Sequence, residues 1–168
     1  ARYGKWDERY GGYFTQEQMR EIVEYAEVRN IEIIPEIDLP GHSLTLARVY
    51  PDVLCNYTPD LKALDGYDTR NVLCVAKDSN YTLLEDVFRE MSDIFPSKWI
   101  HIGGDEVGMS QWNKCPDCKA LMEGKNMDGN ALQAYFMNRV AKIIEKYGKK
   151  SCVWNEAIDS GTLTKDAM

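Results

Sequence analysis

The stretch His101-Ile102-Gly103-Gly104-Asp105-Glu106 runs from a short apolar strand through two glycines into two adjacent carboxylates. In α/β folds the chemically active side chains lie at the ends of strands. Glycine allows a ligand to approach the backbone closely, or backbone angles that other residues resist. Two neighbouring acids also shift each other's pKa, because a like charge favours the protonated form of one of them. The stretch therefore predicts a functional strand end, although an isolated Asp-Glu pair is more often a solvated surface turn.

Helical and strand patterns alternate on the N-terminal side of this stretch. Thr15-Gln16-Glu17-Gln18 is a capping box, and it opens an apolar helical pattern that Asn30 closes. The β-branched run 31–37 predicts a strand buried on both faces. After a polar, irregular region that ends near residue 79, a second amphipathic helix stops before Pro96.

The same alternation continues to the C-terminal side. A strand is predicted over 98–103, and a loop then leads to a third helix that starts near Asn130 and ends at Gly148. Residues 151–154 predict a further strand. The apolar stripes of the three helices consist of Met19, Ile22, Val23 and Ala26, of Leu84, Val87, Phe88 and Met91, and of Phe136, Val140, Ile143, Ile144 and Tyr147.

This order predicts an α/β fold with a parallel sheet and crossover helices. The strand-to-helix loops are long, whereas the helix-to-strand connections are short, as in β/α barrels that build their active sites from the former. Polar clusters leave the three predicted strands at 35–42, 104–106 and 154–156. Because the carboxyl ends of parallel strands lie on one side, we expect these clusters to share one cleft.

Composition limits the classes of partner. The chain has 168 residues, enough for one domain, with 20 basic and 27 acidic residues and a net charge of −7. This charge argues against a nucleic-acid partner. The sequence contains no apolar run long enough to span a bilayer, so no membrane span is expected.

The five cysteines leave several possibilities open. Cys115-Pro116-Asp117-Cys118 has the CxxC form, but the sequence shows no second pair with matching spacing, so plain thiols or a local disulfide are favoured over a metal site. Cys55 and Cys74 could form a loop disulfide if the protein is exported. We expect a secreted, periplasmic or cell-surface protein rather than a cytoplasmic one.

Three segments together resemble a known family. They are Ile34-Pro35-Glu36-Ile37-Asp38-Leu39-Pro40-Gly41-His42-Ser43, then His101 to Val107, then Val153-Trp154-Asn155-Glu156. Their order and sequence are similar to the catalytic domain of glycoside hydrolase family 20, the β-N-acetylhexosaminidases. Gly11 to Met19 also resembles the approach to the third barrel strand of that family.

The resemblance implies a TIM-type (β/α)8 barrel, of which residues 1–168 would form a partial catalytic domain. At roughly 250 residues per barrel, the chain has room for about strands 3 to 5 with their helices. The resemblance therefore implies that the missing barrel segments of a parent chain are partners of this one. It also implies a carbohydrate substrate, namely N-acetylhexosaminides in glycans or chitin oligomers, and no metal or organic cofactor.

The resemblance also implies a mechanism and its residues. Retaining glycosidases usually place two carboxyl groups about 5–5.5 Å apart across the scissile bond, and neighbours such as Asp105 and Glu106 are expected to diverge along a strand. The family instead uses the 2-acetamido oxygen of the substrate as nucleophile. By resemblance, Glu106 is the general acid and base, Asp105 orients the acetamido group, and His42 with Asp38 supports the acid.

Three further residues receive weaker assignments. Trp154 matches the tryptophan that walls the acetamido pocket of the family, with a core aromatic as the alternative. We expect His101 to pack or to hold another side chain, and Glu36 to form an ion pair at the rim. Asn155 stands where the family often has Asp, so its role is open.

Two other functions compete with this interpretation. Gly103-Gly104-Asp105-Glu106 begins the signature of diguanylate cyclases, but Val107 replaces its phenylalanine and the metal-binding context is missing. The stronger alternative is a barrel fragment that binds sugar weakly or not at all. Open sheet edges in such a fragment need to be covered or paired.

Overall fold

The computed structural model describes residues 12–55 and 72–159. In chain order its elements are α1 (Gln16–Glu27), α2 (Leu44–Val49), a 3-10 turn (Pro51–Val53), α3 (Asp78–Ile94), β1 (Trp99–His101), α4 (Pro116–Lys125), α5 (Gly129–Glu145), β2 (Lys150–Cys152) and α6 (Asn155–Asp159). None of the described helices combines the length and apolar character needed to cross a membrane.

The sheet is parallel, as the alternation of elements predicts. β1 pairs with β2, with Ile100 opposite Ser151. A third extended segment, 35–39, runs parallel along the other side of β1. Its Ile37 N–H donates to the His101 carbonyl at 3.0 Å, and its Leu39 N–H donates to the Ile102 carbonyl at 3.1 Å.

The predicted strand at 31–37 is wrong in its extent and burial. Only the chain from Pro35 onward pairs with β1, and Ile31 and Ile34 are 58% and 46% exposed. The β-branched residues favour an extended backbone, but the described segments leave these two side chains largely uncovered. The predicted strand at 98–103 is likewise shorter, because Gly103 turns the chain with a φ of +67°.

The predicted helices are confirmed, and their ends follow the expected signals. Thr15 accepts the Gln18 N–H at 3.2 Å, and the Gln18 side chain accepts the Thr15 N–H at 2.9 Å, which completes the capping box. α3 ends two residues before Pro96, and the turn after α5 closes at Gly148 with a φ of +71°. The core lies between α3, α5 and the sheet, where Phe88, Phe136, Ile100, Leu84 and Ile144 are buried.

Two helices lie in regions that the sequence predicts as loops. α2 is only six residues long and follows the polar segment around His42. α4 has Pro116 at its first position and ends at Asn126 in the left-handed conformation. These are ordinary signals for the start and end of a helix, so α4 could have been predicted from the sequence.

Candidate active site

The three polar clusters predicted at the strand ends meet in the structure. Backbone and side-chain hydrogen bonds join them: the Trp154 N–H donates to the Gly103 carbonyl at 3.0 Å, and the Gly104 N–H donates to Asp38 Oδ1 at 3.1 Å. The Glu106 N–H donates to Glu156 Oε2 at 2.9 Å. The expectation that the three clusters lie together is therefore confirmed for the described residues.

The two glycines after β1 are required by the close approach of neighbouring segments. Gly103 and Gly104 have φ values of +67° and +104°, which side chains resist. A Cβ on Gly103 would overlap the carboxylate of Asp38, and one on Gly104 would lie 2.5 Å from Cβ of Ala157. The glycines therefore allow the first and third strand ends to close on the second.

Three carboxylates surround the imidazole of His42. Its Nε2 lies 3.5 Å from Glu106 Oε2, 3.6 Å from Asp105 Oδ2 and 3.9 Å from Asp38 Oδ2. We call Asp38, His42, Asp105 and Glu106 the strand-end cluster.

The expectation that Asp105 and Glu106 diverge along a strand is wrong. β1 ends at His101, and Glu106 has a φ of +49°. This left-handed turn lies outside the strand geometry in which successive side chains alternate. Both carboxylates consequently point to the same imidazole nitrogen.

Asp38 holds a proton more tightly than an ordinary aspartic acid. Its pKa is raised from 3.8 to about 6, first because the carboxyl group is buried and then because it hydrogen-bonds the Asp105 carboxyl group, whose charge adds repulsion. The Gly104 N–H and His42 act in the opposite direction. Asp105 Oδ1 is buried and has no hydrogen-bond partner among the described residues.

The indole of Trp154 lies beside Glu36 and His101. Its Nε1 donates to Glu36 Oε1 at 3.1 Å, and the same oxygen lies 3.2 Å from His101 Nδ1. The imidazole of His101 meets the indole edge to face, with ring centroids 4.6 Å apart. Trp154 is 46% exposed, so it is not a core residue in the described part of the chain.

Two residues position the site although the sequence analysis assigned them no such role. Glu156 fixes the backbone of Glu106, as described above, and the buried Gln133 donates from Nε2 to the Gly104 carbonyl at 2.8 Å. The signal for Gln133 was present, because an amide on the apolar side of an amphipathic helix needs a buried partner. Glu156 was placed in the cluster at 154–156, but nothing in the sequence indicated which group it would hold.

In the part of the chain that the structure describes, two groups of side chains have ligand atoms close enough together to hold a cation. One is Asp38, His42 and Asp105 within the strand-end cluster, and the other consists of Cys55, Cys74, Cys115 and Cys118. The first group consists of an imidazole and two carboxyl groups, which are also the side chains that donate and accept protons in enzymes. We describe it below as a site for proton transfer.

Comparison with known proteins adds a family match. The sequence pattern of the glycosyl hydrolase family 20 catalytic domain matches residues 2–168. A beta-hexosaminidase of Porphyromonas gingivalis is 36% identical over 156 residues, which are 90% of this chain and 20% of that protein. The human beta-hexosaminidase subunit beta is 32% identical over 148 residues, which are 87% of this chain and 26% of that protein.

A solved structure agrees with these matches. The exo beta-N-acetylglucosaminidase of Vibrio harveyi in complex with N-acetylglucosamine superposes with a TM-score of 0.84 at 34% identity. The match covers 98% of this chain and 26% of that one. The chain thus spans about a fifth to a quarter of the length of these relatives.

Proposed function

Because the chain belongs to glycosyl hydrolase family 20, we propose that its residues 1–168 are part of a catalytic (β/α)8 barrel that removes terminal N-acetyl-β-hexosamine residues from glycans. In this proposal the chain supplies about the third to fifth barrel strands, and the remaining strands come from the rest of the barrel. The parallel order of segment 35–39, β1 and β2 supports it, as does the short share of each relative that the chain covers.

The mechanism we propose is substrate-assisted and retains the anomeric configuration. The carbonyl oxygen of the 2-acetamido group attacks the anomeric carbon while Glu106 gives its proton to the leaving glycosidic oxygen. An oxazolinium ion results. Glu106, now a carboxylate, takes a proton from water, and that water opens the oxazolinium ring at the anomeric carbon.

The neighbours of Glu106 have supporting roles. Asp105 orients the acetamido group and stabilises the positive charge that develops on its nitrogen. His42 and Asp38 hold protons behind the acid, and Trp154 walls the acetamido methyl group. The observation that carries the proposal is the convergence of three carboxylates on His42 Nε2. The side chain of Glu106 is 63% exposed, so a substrate can reach it.

We propose that the 168 residues alone are inactive. The described segments supply the acids and one aromatic side chain, and the other contacts to the sugar would come from the rest of the barrel. The natural ligand is a carbohydrate, and we place the protein outside the cytoplasm, in the periplasm, at the cell surface or in secretions. Peptide mapping of periplasmic and cytoplasmic fractions of the source cell tests that location.

The experiment that tests the function uses the complete barrel. Aryl N-acetyl-β-glucosaminide, N-acetyl-β-galactosaminide and plain β-glucoside are compared as substrates, and the two acetamido sugars alone should be hydrolysed. Glu106→Gln should lower kcat by about 10²–10⁴-fold, the usual contribution of a positioned acid. Glu90→Gln, on the exposed side of α3, is the matched control. Near-normal turnover by Glu106→Gln, or equal hydrolysis of the plain glucoside, contradicts the proposal.

A further inference from the structure

The sulfur atoms of Cys55, Cys74, Cys115 and Cys118 meet at one point. We call these four residues the cysteine cluster. All four sulfurs lie within 4.8 Å of one another. The Sγ–Sγ distances are 3.6 Å for Cys74 and Cys118, 3.9 Å for Cys55 and Cys118, and 4.0 Å for Cys74 and Cys115. The side chains come from three separate places in the sequence.

These distances match the edges of a zinc-thiolate tetrahedron. A Zn–S bond of about 2.3 Å places neighbouring sulfurs about 3.8 Å apart in tetrahedral geometry. A disulfide would need about 2.05 Å, and all five cysteines are free. The expected local disulfides, within Cys115–Cys118 and between Cys55 and Cys74, are therefore not formed in the structure.

The sequence expectation that the CxxC motif has no second ligand pair is wrong. Cys55 and Cys74 form that pair, but they lie nineteen positions apart and belong to no recognisable motif. Folding joins them through an antiparallel bridge between the residues just before each, Leu54 and Leu73. Sequence spacing alone could not reveal this approach.

Burial favours a closed, four-coordinate site. The exposed fractions of the four cysteines are between 0% and 3%. A buried thiol can pack as a small apolar residue, but four thiols that converge from separate segments form a set of soft ligands with no water position. Structural zinc sites have this composition, whereas catalytic sites keep one position open.

The backbone around the cluster is held by polar side chains. Asn80 is buried and donates from Nδ2 to the carbonyls of Val53 and Cys74, at 2.8 and 2.9 Å. The buried Trp112 donates from Nε1 to the Leu73 carbonyl at 2.9 Å. Such outer contacts fix the ligand positions before a metal binds.

We propose that the cysteine cluster is a structural zinc site. Four S–H groups lose their protons to solvent, and the four thiolates bind one Zn²⁺ with no change in oxidation state. Tetrahedral sulfur ligation suits zinc or iron, and we commit to zinc. The site joins the chain that follows segment 35–39, through Cys55 and Cys74, to the start of α4, through Cys115 and Cys118. It therefore holds together the connections that follow two neighbouring strand ends of the strand-end cluster.

The test measures metal content in the complete barrel, purified without chelators under reducing conditions. The wild type should hold about one zinc per chain, and Cys118→Ser should hold less than about a fifth of that. Cys152→Ser, which removes the cysteine outside the cluster, should retain it. A protein without bound metal, or with disulfides among the four residues, overturns the proposal, and iron overturns the assignment to zinc.

A second measurement needs only the wild type, in case the variants do not fold. Titration with an organomercurial and a zinc-responsive dye should release about one zinc for each four cluster thiols that react. Release of no zinc as these thiols react overturns the proposal. Neither readout depends on hydrolysis, so the zinc site and the proposed activity can fail separately.

Discussion

The strand-end cluster and the cysteine cluster both gather four titratable side chains, but they differ in exposure. The side chains of Asp38, His42, Asp105 and Glu106 are between 23% and 63% exposed, whereas the cysteines are almost fully buried. Side chains that are partly exposed can contact a substrate and water. Side chains that are fully buried can bind only a permanently held ion. The comparison separates residues that act on a ligand from residues that hold the loops in place.

The largest expected effect comes from filling the space between the strand ends. Gly103→Ala puts a methyl group into the Asp38 carboxylate at a left-handed backbone position. We expect it to lower the free energy of unfolding by about 3 kcal/mol or more and to abolish turnover. Gly124→Ala is the control, because a Cβ there meets nothing within 4 Å. It should be neutral or stabilise α4 by up to about 1 kcal/mol. Chemical denaturation of both variants measures the difference, and equal stabilities would refute the steric account.

An effect of intermediate size is expected from Asp38→Asn. The pKa of Asp38 in the folded protein, about 6, lies above its unfolded value. The protonated carboxyl group of Asp38 therefore stabilises the folded state fully below about pH 4, and this contribution to the free energy of unfolding is lost as the pH rises through about 6. An amide cannot ionise, so the variant should gain melting temperature relative to the wild type between pH 4.5 and pH 7.5.

Thermal unfolding at both pH values tests this sign, with Glu90→Gln as a control that should show no such trend. Zinc content should be the same in Asp38→Asn and wild type, because Asp38 lies outside the cysteine cluster. Equal zinc content would show that the two clusters are independent. A melting temperature of Asp38→Asn that falls relative to the wild type as the pH rises would contradict the raised pKa of Asp38.

The smallest expected effect concerns Glu156. Its Oε2 accepts the Glu106 N–H, and the carbonyl of a glutamine can accept the same proton. Glu156→Gln should therefore change kcat by less than about threefold, whereas Glu156→Ala loses a hydrogen bond worth about 1 kcal/mol and should lower kcat by several fold. Steady-state kinetics of the pair decide between a positioning role and direct catalysis, since loss of activity in Glu156→Gln comparable to that in Glu106→Gln contradicts the former.

Much of the fold was predictable because its signals are local. The Thr15 capping box, Pro96 and Gly148 fix helix ends through contacts within a few residues. The alternation of elements then gives the parallel order. The exposure of Ile31 and Ile34 was not predictable, because it depends on which other segments cover the sheet.

The candidate site shows the same limit. The positions of Asp105 and His42 at strand ends follow from the order of elements, but their convergence depends on backbone turns at His42 and Glu106, which have φ values of +48° and +49°. Histidine adopts positive φ more often than most residues do, but neither His nor Glu requires it, so the sequence does not indicate these two turns. The second cysteine pair was hidden for a related reason, since tertiary bridges rather than sequence spacing bring it together.

The Leu73 N–H donates to the Pro40 carbonyl at 2.9 Å, two residues before His42. Together with the Leu54–Leu73 bridge, this bond holds Leu73 between Leu54 and the turn that leads to His42. The same backbone position therefore sets the place of Cys74 and the approach to the imidazole. Leu73→Pro, which removes the N–H, should disturb both clusters at once.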